Sequence, residues 1–173
     1  MGATGCGDSD NAVNTKPTTS SSPRDPSATA TATSTAERQK LAKTRFVANA
    51  GLAAGAAYQW IVKPYRDGKF KEGADGRRFA LVKAGLAGAF TYNRLQAALK
   101  NAEGDPTLSK ALAPLQSGVD SLKDLPAKLR KGEGAGDISA TFGGVIDKVK
   151  SAAGEAGAKV EDRVPSTSQL TAS

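Results

Sequence analysis

The sequence predicts an all-α fold, a small antiparallel four-helix bundle behind a disordered N-terminal leash. Apolar residues recur at the three-and-four spacing of helices in four segments. No segment alternates with the period of two and the β-branched enrichment typical of strands. Pro and Gly clusters separate the segments by short joints, which favours antiparallel neighbours. The predicted domain covers residues 34–164, between a leash over 1–33 and a disordered tail over 165–173.

Composition limits both the size of the core and the chemistry of the chain. Of 173 residues, 31 are Ala, so the core is thin and fills one domain. There is no His, the usual general base and metal ligand, and the single Cys excludes an internal disulfide. No run of 18 apolar residues predicts a membrane span. We therefore assign no catalytic residue, no metal and no cofactor; an enzyme of unknown class stays an open alternative.

The first two helices are predicted over 35–62 and 76–102. Ser34-Thr35-Ala36-Glu37 has the S-x-x-E pattern of a capping box and marks the first start. Pro64 and Gly68 predict its end. The second helix opens near Asp75 and ends before Gly104-Asp105-Pro106.

The third and fourth helices are predicted over 107–131 and 138–163. Pro114 predicts that the third is kinked or split. Asp137 is placed as the cap of the fourth, and Pro165 as its stop. Each carries one apolar stripe. The stripes consist of Leu108, Leu112, Leu115, Val119, Leu122 and Leu129, and of Ile138, Phe142, Val145, Val149, Ala153, Ala156 and Val160.

A short repeat links the first two helices. Ala50-Gly51-Leu52-Ala53 recurs as Ala84-Gly85-Leu86-Ala87, and the same offset aligns Tyr58 with Tyr92. We expect the two copies to form a close antiparallel hairpin, with Gly and Ala where the backbones approach. A composition bias toward Ala and Gly is the alternative explanation.

Charge and aromatic residues concentrate in the first half of the domain. Residues 34–102 carry a net charge of +9, whereas 1–33 and 103–173 each carry −1. The connection 63–78 intersperses aromatic residues with basic ones. Such a loop can bind an anionic polymer or lipid headgroups through charge and stacking. The alternative is a solvated loop whose rings cap the core. The candidate binding residues are Lys63, Tyr65, Arg66, Lys69, Phe70, Lys71, Arg77 and Arg78.

The N-terminus resembles that of bacterial lipoproteins. Ala3-Thr4-Gly5-Cys6 is similar to a lipobox, and a stretch rich in Ser, Thr, Pro and Ala follows it. The resemblance implies that Cys6 is lipidated and tethers the domain to the outer face of the cell membrane. No charged or apolar signal segment precedes Cys6, so a start further upstream is the accompanying expectation.

Residues 46–102 are also similar to an uncharacterised group of Ala-rich exported proteins of high-G+C Gram-positive bacteria. The matching residues are 46–55, Lys63-Pro64-Tyr65 and Gly73-Ala74-Asp75-Gly76-Arg77. This resemblance implies a class and no activity. The sequence thus favours a non-enzymatic envelope lipoprotein that binds an anionic wall polymer, lipid headgroups or a partner protein. Nucleic acid is not expected, and a soluble amphipathic-helix stress-protection protein is the alternative.

Overall fold

The computed structural model describes the backbone of residues 15–172 and the side chains of residues 35–172. Contacts divide the chain into two units, Met1–Gln39 and Lys40–Ser173. The bundle lies in the second unit. Every regular element within residues 15–172 is helical, which confirms the all-α prediction.

The helices follow one another along the chain, with longer connections over 67–76 and 156–166. They are α1 Thr15–Ala57, a π-helical turn Tyr58–Val62, α2 Lys63–Arg66, α3 Arg77–Ala102, α4 Pro106–Leu112, a 3₁₀ turn Ala113–Leu115, α5 Gln116–Asp120, α6 Leu125–Lys131, α7 Ala135–Glu155 and α8 Thr167–Thr171.

The first helical run differs from its prediction at both ends. Its backbone is helical from Thr15, so Ser34 lies inside α1 and not at its N-cap. At the other end, helix continues past Pro64 to Arg66. The N–H of Lys63 donates to the carbonyl of Tyr58, five residues back. This wider turn accommodates Pro64, whose missing N–H was expected to stop the helix.

The third predicted helix is divided, as Pro114 indicated. Pro114 lies in the 3₁₀ turn between α4 and α5, and Pro126 lies in the first turn of α6, where no N–H is required. Asp105 caps α4, because its carboxylate accepts the N–H groups of Thr107 and Leu108 at 2.9 and 3.0 Å.

The C-terminal predictions need correction. α7 begins at Ala135, ahead of Asp137, and ends at Glu155 rather than at 163. Gly157, with φ +73°, turns the chain out of the helix. The following segment, 158–166, has no helix, and the N–H of Arg163 donates to the carbonyl of Gly51 at 2.9 Å.

The tail predicted to be disordered over 165–173 is ordered through α8. Ser166 and Gln169 form a capping box at the start of α8. Pro165 and Leu170 are buried. The tail is therefore part of the packed domain, because these two apolar side chains reach the core.

The core is one cluster to which most helices contribute. Three phenylalanines, Phe46, Phe90 and Phe142, are fully buried in it. Both predicted stripes face this core, although Leu115 and Val145 are only partly buried. Val160 is buried as predicted, but from the extended segment after α7.

The repeat packs differently from its prediction. α1 and α3 are neighbours, since the Thr91 hydroxyl donates to the carbonyl of Ala53 at 3.4 Å. The glycines, however, pack against later segments of the chain and not against each other's helix. A Cβ at Gly51 would lie 2.6 Å from the carbonyl oxygen of Glu161, and a Cβ at Gly85 would overlap the side chain of Arg130. Gly51 therefore admits the segment that follows α7, and Gly85 admits α6.

Candidate functional site

Two of the eight predicted binding residues are structural. Phe70 is only 6% exposed and belongs to the core, so the expectation that it stacks on a ligand is wrong. Arg77 is half-buried, and its Nε donates to the carbonyl of Phe70 at 2.9 Å. Together they fix the connection between α2 and α3, because Phe70 is buried in the core and Arg77 binds its backbone carbonyl.

The other six are exposed, but they do not form one surface. The Tyr65 hydroxyl lies over Gly136, where a Cβ would approach within 2.7 Å. Arg66 faces α7, and the Lys71 stem lies beside Gly68. Of the six, Lys69 lines a cavity shared with α3. The contiguous basic and aromatic loop that the sequence predicted is therefore split between several sides of α2.

The cavity beside Lys69 is small and largely apolar. Its volume is about 280 Å³, and it opens between the π-helical turn, α2 and the first turns of α3. Its lining consists of Trp60, Pro64, Lys69, Asp75, Gly76, Phe79, Ala80 and Lys83.

Lys83 lies between two aromatic rings at this cavity. Its ammonium nitrogen is 4.5 Å from the centroid of the Phe79 ring and 4.9 Å from the Trp60 ring. Both distances are within the range of a cation–π interaction. The indole Nε1 of Trp60 is buried and has no hydrogen-bond partner among the described residues. The site thus presents a cation held between two aromatic rings.

Apolar side chains project from the same part of α3. Phe79 is 66% exposed and Val82 is 48% exposed. Because they are three residues apart on a helix, they lie on one face. We call the surface formed by Trp60, Lys69, Phe79, Val82 and Lys83 the aromatic patch.

The cations around the aromatic patch are not neutralised by ion pairs. The ion pairs found in the described part of the chain are Lys43–Asp105, Lys150–Asp162 and Lys159–Glu161. None of them involves Lys69 or Lys83, which line the cavity, or Lys63, Lys71 and Arg78, which are within two residues of its lining in sequence. Asp75 is the acidic residue on the cavity wall. Over residues 60–83, seven bases outnumber three acids, so this part of the chain carries a net positive charge.

A second cavity, of about 260 Å³, lies between the π-helical turn and α7. Arg66 and Tyr58 line it from one side, and Asp147, Lys150 and Asp162 from the other. The Lys150 ammonium pairs with Asp162 at 2.8 Å. Acids and bases are balanced here, so this cavity has no preference for an anion.

Sequence reasoning missed Trp60, Phe79, Val82 and Lys83. It confined the candidate site to 63–78, whereas these residues lie on the helices at either side. The signal was present: Phe79 and Lys83 are four residues apart, as are Trp60 and Pro64, and such pairs share a helix face. Cys6, the predicted lipidation site, lies outside the described residues.

The described residues hold no group of three His, Cys, Asp or Glu side chains placed to bind a metal. None of their helices has the length and hydropathy to cross a bilayer. Comparisons with protein-family models, curated proteins and solved structures find no match to this chain.

Proposed function

We propose that this protein is a non-catalytic binding module of the cell envelope, and that it attaches to an anionic surface through the aromatic patch. The observation that carries the proposal is Lys83, held between Trp60 and Phe79 beside an exposed apolar face. Such a site provides a positive charge and two aromatic rings, and it contains neither an activated nucleophile nor a set of metal ligands.

The attachment draws on up to five cations: Lys69 and Lys83 line the cavity, and Lys63, Lys71 and Arg78 lie within two residues of its lining in sequence. Each Lys or Arg near an anionic surface contributes about 1 kcal/mol at low salt. A total on the order of 5 kcal/mol corresponds to a dissociation constant of roughly 0.2 mM. Salt weakens this term, since charges beyond a Debye length are screened. Binding of this strength needs a second attachment to persist.

A lipid on Cys6 would provide that second attachment. The lipobox-like Ala3-Thr4-Gly5-Cys6 and the Ser/Thr-rich stretch after it support this part of the proposal. Attachment through a lipid makes the binding of the patch an intramolecular step, which raises the effective concentration of the domain at the surface. The proposed location is the outer face of the cell membrane.

Metabolic labelling with palmitate in the native host tests the tether. We expect label on the wild-type protein in the membrane fraction and none on the Cys6→Ala variant. Unlabelled wild-type protein in the soluble fraction would overturn the tether.

The surface attachment is tested with the full chain and two probes, phosphatidylglycerol-containing vesicles and immobilised linear polyphosphate. One variant replaces by glutamine four exposed cations that line the cavity or lie within two residues of its lining in sequence: Lys63, Lys69, Lys71 and Arg78. A matched variant replaces four exposed lysines of the second half: Lys110, Lys123, Lys128 and Lys131. Both lose the same net charge.

We expect the first variant to bind at least tenfold more weakly and the matched variant to lose much less. The reason is that the first set contains Lys69 of the cavity wall and three bases close to the cavity lining in sequence, whereas the matched set comes from another part of the chain. Equal losses would show binding through overall charge and would contradict the proposed site. Absence of binding to both probes would overturn the proposed attachment.

A further inference from the structure

We infer that the anionic surface is a lipid bilayer, and that the aromatic patch docks in its headgroup layer with Phe79 and Val82 entering the acyl boundary. This inference rests on the proposed function and names its partner. The occupant of the cavity beside Trp60 is then a lipid headgroup.

The exposed apolar side chains favour a bilayer over a charged polymer. Phe79 is 66% exposed and Val82 is 48% exposed, on one face of α3. A polyphosphate chain has no apolar phase to receive them, whereas the acyl boundary of a membrane does. Arg78 and Lys83 are next to these side chains in sequence. They would lie at headgroup level when Phe79 and Val82 enter the acyl boundary.

The cavity that the Trp60 ring lines provides the second observation. Its volume is about 280 Å³, and Lys69 and Lys83 lie on its wall, where they would neutralise the charge of a lipid phosphate. The Nε1 atom of Trp60 is itself buried, so a headgroup in the open cavity meets the ring and not the N–H. Asp75, also on the wall, opposes an anion there.

The chain carries its own reporter for this interaction. Trp60 is the single tryptophan, so the intrinsic emission of the full chain reads the cavity without a label. We would titrate the protein with vesicles of phosphatidylglycerol and phosphatidylcholine, and with phosphatidylcholine alone. Docking predicts a blue shift with the anionic vesicles only. Lipids brominated near the glycerol end of the chain should quench more strongly than lipids brominated at the methyl end.

Two double variants distinguish insertion of apolar side chains into the bilayer from attachment by charge alone. Phe79→Ala with Val82→Ala removes the exposed apolar face, and we expect about tenfold weaker vesicle binding. Leu41→Ala with Val164→Ala removes exposed apolar side chains elsewhere and should leave vesicle binding unchanged. Because all four residues are exposed, the fold should persist, which circular dichroism checks.

The outcomes distinguish this inference from the proposed function. Salt-sensitive binding without emission change or bromine quenching would overturn bilayer insertion and leave the charge attachment in place. Loss of polyphosphate binding equal to loss of vesicle binding in the Phe79/Val82 variant would also overturn it. Stronger vesicle binding by Asp75→Asn would support a headgroup in the cavity, and an unchanged affinity would contradict it.

Discussion

The ammonium nitrogen of Lys83 lies 4.5 Å from the centroid of the Phe79 ring, four residues earlier on α3. The same nitrogen reaches the Trp60 ring, which comes from the π-helical turn. Lys83 therefore links the two helices beside the connection 63–78. The Lys83 side chain therefore contributes both to the stability of this end of the bundle and to its positive charge.

Lys83→Gln should lower the free energy of unfolding by about 0.5–1 kcal/mol, because the contacts to two rings lose their cation. Lys83→Arg keeps a cation and should stay near wild type. Urea denaturation followed by Trp60 emission measures both. Lys100→Gln, at an exposed lysine of α3, is the control and should have little effect. Similar losses for Lys83→Gln and Lys100→Gln would contradict the cation–π assignment.

Gly51→Ala should destabilise the domain by about 1–3 kcal/mol. The new Cβ would lie 2.6 Å from the carbonyl oxygen of Glu161, a backbone atom that cannot rotate away. Thermal unfolding measures the change. Gly154→Ala is the matched control on α7, because nothing lies within 4 Å of its Cβ position. It should gain about 0.5–1 kcal/mol from helix propensity, so a loss in both variants would refute the contact argument.

Asp105→Ala should cost about 1–2 kcal/mol, since two N–H groups of α4 lose their acceptor. Asp105→Asn keeps a capping oxygen and loses only the charge facing Lys43, 3.9 Å away. That pair is partly exposed and should contribute less than about 1 kcal/mol. Chemical denaturation of the two variants separates the effects. If Asn is as destabilising as Ala, the ion pair rather than the cap holds α4.

Local patterns in the sequence predicted the helices and most of the core. Leu108, Leu112, Val119, Leu122 and Leu129 are all fully buried or nearly so, because a stripe at helical spacing needs a core to cover it. The division of the third helix also followed from one residue, Pro114. These features depend on neighbours in sequence, which a single chain displays directly.

Tertiary partners were the part that the sequence did not predict. Gly51 and Gly85 occupy equivalent repeat positions, yet one admits the segment around Arg163 and the other admits Arg130 of α6. A small residue signals a close approach but does not identify what approaches. Similarly, Phe70 lies among charged residues and still reaches the core.

The C-terminal tail is predicted from the sequence to be disordered, but in the structure it packs on the core, and a substitution tests which holds. Leu170→Ala should lower the free energy of unfolding by about 2 kcal/mol or more, because the Leu170 side chain is 4% exposed and its loss leaves a cavity. A disordered tail would give no change. Leu41→Ala is the control, since that leucine is 52% exposed and should alter stability little. Denaturant midpoints compare the two, and an unchanged midpoint for Leu170→Ala would show that α8 does not pack on the bundle in solution.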